Sequence, residues 1–166
     1  MQTTIKEERQ FNSCAFTGHR EIEEKDKTTL FRKTLDCVRA LVEQGVTAFY
    51  NGGAKGFDLL AGEAVLRVKK ENTQKQIKLV LCVPCPNQDK AYEESQKTVY
   101  QAIVSEADEV INLSDHYYRG CMQNRDRYMA DHADVLVSYL RKDTGGTAYT
   151  VQYFTKKYPQ KELVLL

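Results

Sequence analysis

The chain has almost no net charge, no long apolar run and no cysteine framework, and each lack removes a class of protein. Its formal charge is +1 over 166 residues, so it has no global basic field of the kind a bulk nucleic-acid binder uses. A local patch stays open. No stretch is long and apolar enough to span a bilayer. The charged opening segment MQTTIKEERQFN holds no apolar signal core, and a cytoplasmic protein is expected. The five cysteines, Cys14, Cys37, Cys82, Cys85 and Cys121, are odd in number and come without a secretion signal, which argues against a disulfide scaffold. CVPC at 82–85 has redox-like spacing. However, Cys82 ends an apolar run, and Pro84 and Pro86 block the helix that redox motifs open. No second CxxC or histidine pair completes a zinc site, and no metal is expected. There is also no GxGxxG dinucleotide fingerprint and no GxxxxGK[ST] P-loop.

What remains is an ordinary globular composition, 42% apolar and 28% charged, with length enough for one domain and its core. Apolar runs at 13–17, 46–50, 77–83, 109–113, 134–139 and 162–166 read as short strands, most of them continuously apolar, as burial on both faces requires. Helical stripes separate them. Leu30, Leu35, Val38, Leu41 and Val42 fall on the first, which Gly45 stops. Phe57, Leu60, Ala61, Ala64, Val65 and Val68 make the second; Tyr92, Val99 and Ile103 suggest the third. Tyr128, Met129 and His132 mark a shorter fourth, and Ala148, Val151 and Phe154 a fifth. Strand alternating with helix means parallel pairing and right-handed crossovers. The expectation is one doubly wound α/β domain over 1–166, a three-layer α/β/α sandwich with a mainly parallel sheet and helices on both faces. Residues 1–11 are expected to form a flexible or loosely packed N-terminal segment.

TGHR (17–20), NGGAKG (51–56), LSDHY (113–117) and DTGGT (143–147) each follow a strand, so in a parallel sheet they share one rim, where ligands bind. Glycine there permits positive φ and lets a ligand approach the backbone. The helix that follows supplies unpaired N–H groups and about +0.5 of a charge, which together suit an anion such as phosphate. Candidate ligand-binding residues are therefore Gly18, His19 and Arg20 in the first loop, Gly52, Gly53, Ala54 and Gly56 in the second, and Gly145, Gly146 and Thr147 in the last. Asp58 either caps the second helix or accepts a hydrogen bond from a ribose hydroxyl. Arg20 either clamps phosphate or is solvated, and the same holds for Lys55. Arg125 and Arg127 flank Asp126; they either form a local salt-bridge network or reach over the rim to an anion. Tyr117 and Tyr118 either stack on a base or pack. His116 and His132 read as structural.

In order and spacing these motifs resemble those of the SLOG superfamily, the Rossmann-like fold shared by the DNA-processing protein DprA (Smf) and the LOG phosphoribohydrolases. The closest likeness is to its small bacterial YpsA/YoqJ-like branch, and it covers roughly residues 12–166. TGHR looks like the family's glycine–x–arginine turn after the first strand. NGGAKGFD is similar to the DprA pattern small-Gly-x-Ala-x-Gly-apolar-Asp. NRDRYMA resembles its Arg-x-Arg helix start, with Arg125, Arg127 and Ala130 matching, and TGGTAY fits the last glycine loop. There are departures. The histidine that DprA has four residues after the aspartate is Gly62 here. The lysine of the LOG segment Met-x-x-Arg-Lys-x-x-Met is Asp126, between Met122, Arg125 and Met129. The LOG glutamate position is Thr150. The resemblance implies a nucleotide or nucleotide-derived ligand, ADP-ribose- or NAD-like, in a sensing or regulatory role. It also implies homo-oligomers and no certain cofactor beyond that ligand. A LOG-like nucleoside-monophosphate phosphoribohydrolase is the alternative that the missing glutamate weakens. DprA-like single-stranded DNA binding is disfavoured by the near-neutral charge, although Lys69, Lys70, Lys75 and Lys78 offer a patch.

Overall fold

The computed structural model describes residues 11–166; the expected loose segment lies almost wholly outside them, and Phe11 itself packs against the core. Eleven elements alternate without exception: β1 (Ser13–Gly18), α1 (Glu24–Glu43), β2 (Ala48–Asn51), α2 (Phe57–Glu71), β3 (Lys78–Val83), α3 (Glu94–Glu106), β4 (Glu109–Asn112), α4 (Cys121–His132), β5 (Val135–Tyr139), α5 (Gly146–Lys157) and β6 (Glu162–Leu165). The sheet order is β4-β3-β2-β1-β5-β6, and every pairing is parallel. The chain runs outward from β1 to one edge, then crosses back to β5 and builds the other side. The direction therefore reverses between β1 and β5, which opens a crevice at their carboxyl ends.

The period-2 side-chain alternation divides each central strand between two cores. Cys14 and Phe16 of β1, Leu79, Leu81 and Val83 of β3, and Val135, Val137 and Tyr139 of β5 join the core under α1, α2 and α3. Ala15, Val80, Cys82 and Leu136 face the other way, onto Met129 and Ala130 of α4 and Phe154 of α5. The first core is built of large side chains, with Phe16 stacked on Phe49 at 6.1 Å between ring centroids. The second holds Ala15, Ala130 and Ala133, small residues that let α4 lie close to the sheet. The edge strands are the exception to burial on both faces. Val110 of β4 and Leu165 of β6 are exposed, because no strand lies beyond them. The third helix begins at Glu94, so Tyr92 precedes it and instead packs edge-on against Tyr100.

Phe49 is fully buried at the centre of the first core. Phe49→Ala is expected to cost about 3–5 kcal/mol, transfer loss plus the cavity left between two rigid layers. Urea denaturation checks this, and a loss below about 1 kcal/mol would mean that the layers collapse to fill the space.

Candidate functional site

Three loops and three helix starts line a cavity of about 810 Å³ at the carboxyl rim. Of the residues expected there, Gly18, His19, Arg20, Ala54, Asp58, Arg125, Gly146 and Thr147 line it. Gly52, Gly53, Gly56 and Gly145 do not, and the backbone shows why three of them are glycine. A Cβ on Gly52 would meet the Arg125 guanidinium carbon at 2.7 Å, and one on Gly53 would meet the Tyr100 ring at 2.7 Å. Gly56 has φ +83 and packs directly on the Arg20 carbonyl. Likewise Gly18 leaves room for Phe57, so the first two loops interlock, with the Phe57 N–H donating to the His19 carbonyl at 3.1 Å. Beneath, Asn51, Gln88 and Tyr92 pin the second loop through its backbone. The last loop differs: nothing lies within 4 Å of a Cβ built on Gly145 or Gly146. Its bare backbone is open.

Arg125 does not reach over the rim. It is 2% exposed; its Nε donates to Asp126 Oδ1 at 2.7 Å and an NH1 hydrogen to the Gly52 carbonyl at 2.5 Å. Burial pulls its pKa down, but Asp126 and Asp58 outweigh that and hold it above its ordinary value. Asp58 is not a helix cap. It sits inside the first turn of α2, whose N-cap is Gly56. Its Oδ2 accepts the Ala54 N–H at 3.2 Å. Burial pushes its carboxyl up to about 7, with Arg125 pulling down and Asp126 pushing up. His19 is held neutral: burial and the nearby Lys142 and Arg141 charges lower its pKa. Its Nε2 accepts the Arg141 N–H at 2.6 Å, which leaves the ring proton on Nδ1.

The remaining charges divide clearly. Lys55 pairs with Glu21 at 2.9 Å, and Arg127 donates to the Tyr149 hydroxyl at 3.0 Å. Arg20 and Arg119 line the cavity, are exposed, and form no salt bridge among the described residues. The lysine patch is largely cancelled: Lys69 pairs with Asp108, Lys75 with Glu43 and Lys70 with Glu106. Thr150 donates back to the Gly146 carbonyl at 2.9 Å. Cys82 and Cys85 are both buried free thiols. His132 is tied to the Tyr128 carbonyl, and His116 to Asp115.

The residues that sequence reasoning missed are Thr17 and the run Arg119, Gly120, Cys121 and Gln123, which form the wall made by the first turn of α4. The signal was Gly120, which has φ +92 and opens that helix. Tyr117 stands at the mouth, 70% exposed. Neither α4 nor α5 has an acid in its first turn or a capping side chain. Apart from the Cys121 N–H, which donates to the Tyr118 carbonyl, their first N–H groups and positive ends are therefore left uncapped at the cavity wall. α2 carries Asp58 there.

Comparison with known proteins places this chain in a family. The YpsA model, that of the YspA SLOG family, matches residues 14–165, and the chain belongs to that family. It is 29% identical over 149 residues to the uncharacterised SPbeta prophage-derived protein YoqJ of Bacillus subtilis, an alignment covering 80% of this chain and 86% of YoqJ. It is 29% identical over 127 residues to a UPF0398 protein of Halalkalibacterium halodurans, covering 75% of this chain and 66% of that one. Among solved structures, DNA processing protein A of Helicobacter pylori, studied for its single-stranded DNA binding mode, superposes with TM-score 0.64 at 23% identity. DprA of Streptococcus pneumoniae gives 0.62 at 15%. Each superposition covers 93% of this chain, but only 64% and 50% of those two chains. At these identities the likeness is one of fold.

The buried carboxyl has a consequence for stability. Asp58 holds its proton to about pH 7 in the folded chain, against its ordinary 3.8. The native state therefore binds the extra proton between those values, and stability falls as pH rises through that window. Asp58→Asn removes this loss. Its stability relative to wild type is expected to improve from pH 5 to pH 8, by up to about 3 kcal/mol. Thermal melts across pH check it; a pH-independent difference would contradict the placement of this acid.

Proposed function

From its place in that family and the make-up of the cavity, we propose that the protein binds a nucleotide or nucleotide-derived anion, ADP-ribose- or NAD-like, in a sensing or regulatory role. One observation carries the reading. The uncapped starts of α4 and α5 open into the same cavity as two exposed arginines, Arg20 and Arg119, that form no salt bridge among the described residues. Helix N–H groups and guanidinium forks are the usual partners of phosphate. The volume, about 810 Å³, is in the range of small-molecule sites. Gly146 and Thr147 offer backbone to the phosphate, and Tyr117 offers a face to a base. Arg125 serves from beneath, by fixing the floor. Five free cysteines among the described residues suit a reducing cytoplasm.

A second reading has its own support: an acid that titrates near neutrality in a cavity suits general acid–base chemistry, as LOG-type cleavage of a nucleoside monophosphate would need. Binding and turnover are separated by one set of samples. AMP, ADP-ribose, NAD and cyclic dinucleotides are screened by thermal shift and calorimetry, and the mixtures are then analysed for released base. A ligand at a hundred times its Kd is expected to add about 2.7 kcal/mol. Arg20→Ala with Arg119→Ala should weaken binding by at least about tenfold while leaving the melting temperature of the free protein unchanged. A folded protein that no nucleotide shifts would overturn the binding reading, and base release would promote the enzyme.

A further inference from the structure

Two carboxyls line the cavity, and they are not alike. Asp126 is ion-paired, with its Oδ1 on the Arg125 guanidinium at 2.7 Å. Asp58 is 6% exposed. Its Oδ2 accepts one backbone N–H, from Ala54, and its Oδ1 receives no hydrogen bond from the described residues. Arg125 stands beside it across Gly52 but makes no hydrogen bond to it: its Nε donates to Asp126 and an NH1 hydrogen to the Gly52 carbonyl. A buried carboxylate with so few donors is costly, and this one relieves the cost by keeping its proton. What the group lacks is donors, and a ligand must bring them. Ionised phosphate cannot, because near neutrality it presents acceptors and like charge. The positive end of α2 is in any case answered by this same acid. Sugar hydroxyls can: they are neutral, they donate, and a vicinal pair matches the two oxygens of a carboxylate.

We infer that Asp58 is the hydroxyl-reading residue of the cavity, accepting hydrogen bonds from the free hydroxyls of a phosphorylated ribose whose phosphate lies at the starts of α4 and α5. This rests on the nucleotide reading and divides the cavity into an anion half and a hydroxyl half. It also links binding to a proton. Hydroxyl donors favour the ionised carboxylate, so a ribose-bearing ligand expels the proton that the empty site keeps. The groups facing Asp58 are Arg125 and Arg20, which favour ionisation, and Asp126, which opposes it. Cys82 and Tyr92 also face it, but burial pushes both up to about 12, so they stay neutral throughout.

Calorimetry on the full chain tests this with two probe pairs: ribose 5-phosphate against 2-deoxyribose 5-phosphate, and AMP against 2′-deoxy-AMP. Titrations between about pH 6 and about pH 8, in buffers of different ionisation heat, count the protons released. Phosphate ionisation is common to both members of a pair and cancels. Wild type should prefer the ribo member by about tenfold or more at the upper pH, as expected of a charge-assisted hydrogen bond. That preference should shrink towards the lower pH, and only ribo binding should release a proton near neutrality. Asp58→Asn should bind both members alike and release no extra proton. Equal wild-type affinity within both pairs would overturn the inference while leaving the nucleotide reading intact; so would a ribo preference that survives Asp58→Asn. Absence of binding by all four probes would count against both together. The wild-type comparison needs no variant, so the result stands even if Asp58→Asn fails to fold.

Discussion

A guanidinium buried under the floor of the cavity sets the terms for everything above it. Arg125 comes from α4, on one side of the sheet, and its donors end on the loop after β2 and on its own neighbour Asp126. A buried cation with a partner removed is strongly destabilising, so the loop, the helix and the acid have to arrive together. This explains why position 52 is glycine. It also fits the small residues Ala15, Ala130 and Ala133 between α4 and the sheet, since only a close helix brings the side chain within reach of the Gly52 carbonyl.

The electrostatics of the cavity follow from that pin. With its Nε and one NH1 hydrogen given to the protein, Arg125 neutralises the floor from beneath. Positive potential at the surface is left to Arg20, Arg119 and the helix starts of α4 and α5. Asp58, near enough to feel Arg125 but not hydrogen-bonded to it, remains a buried acid poised near neutrality. One side of the space is therefore rich in donors and the other short of them. Such a division suits a ligand that is itself anionic at one end and hydroxylated at the other.

The layered fold was legible because its signals are local. Apolar runs of strand length, helical stripes and glycines at the junctions each act within a few residues, and together they leave parallel pairing as the economical topology. The rim was legible for the same reason: parallel strands put all their following loops at one end. What could not be read was the direction in which each rim residue works. Arg125 and Arg20 look equivalent in sequence, yet one is held beneath the floor and the other stands at the surface. Gly53 and Gly56 look like ligand glycines, whereas their nearest neighbours are the Tyr100 ring and the Arg20 carbonyl. Gly146 resembles them in sequence but has open space before it. The wall formed by Arg119, Cys121 and Gln123 depends on where α4 starts, and no periodic pattern marks a helix start that lacks a capping side chain.

The most direct measurement of the central claim is an amide chemical-shift map of the protein titrated with ADP-ribose. The account predicts that the backbone N–H signals of Met122, Gln123, Gly146 and Thr147 move first and furthest, because those are the groups left to receive phosphate. Movement confined to the outer faces of the helices, or no movement with the spectrum of a folded protein intact, would contradict it.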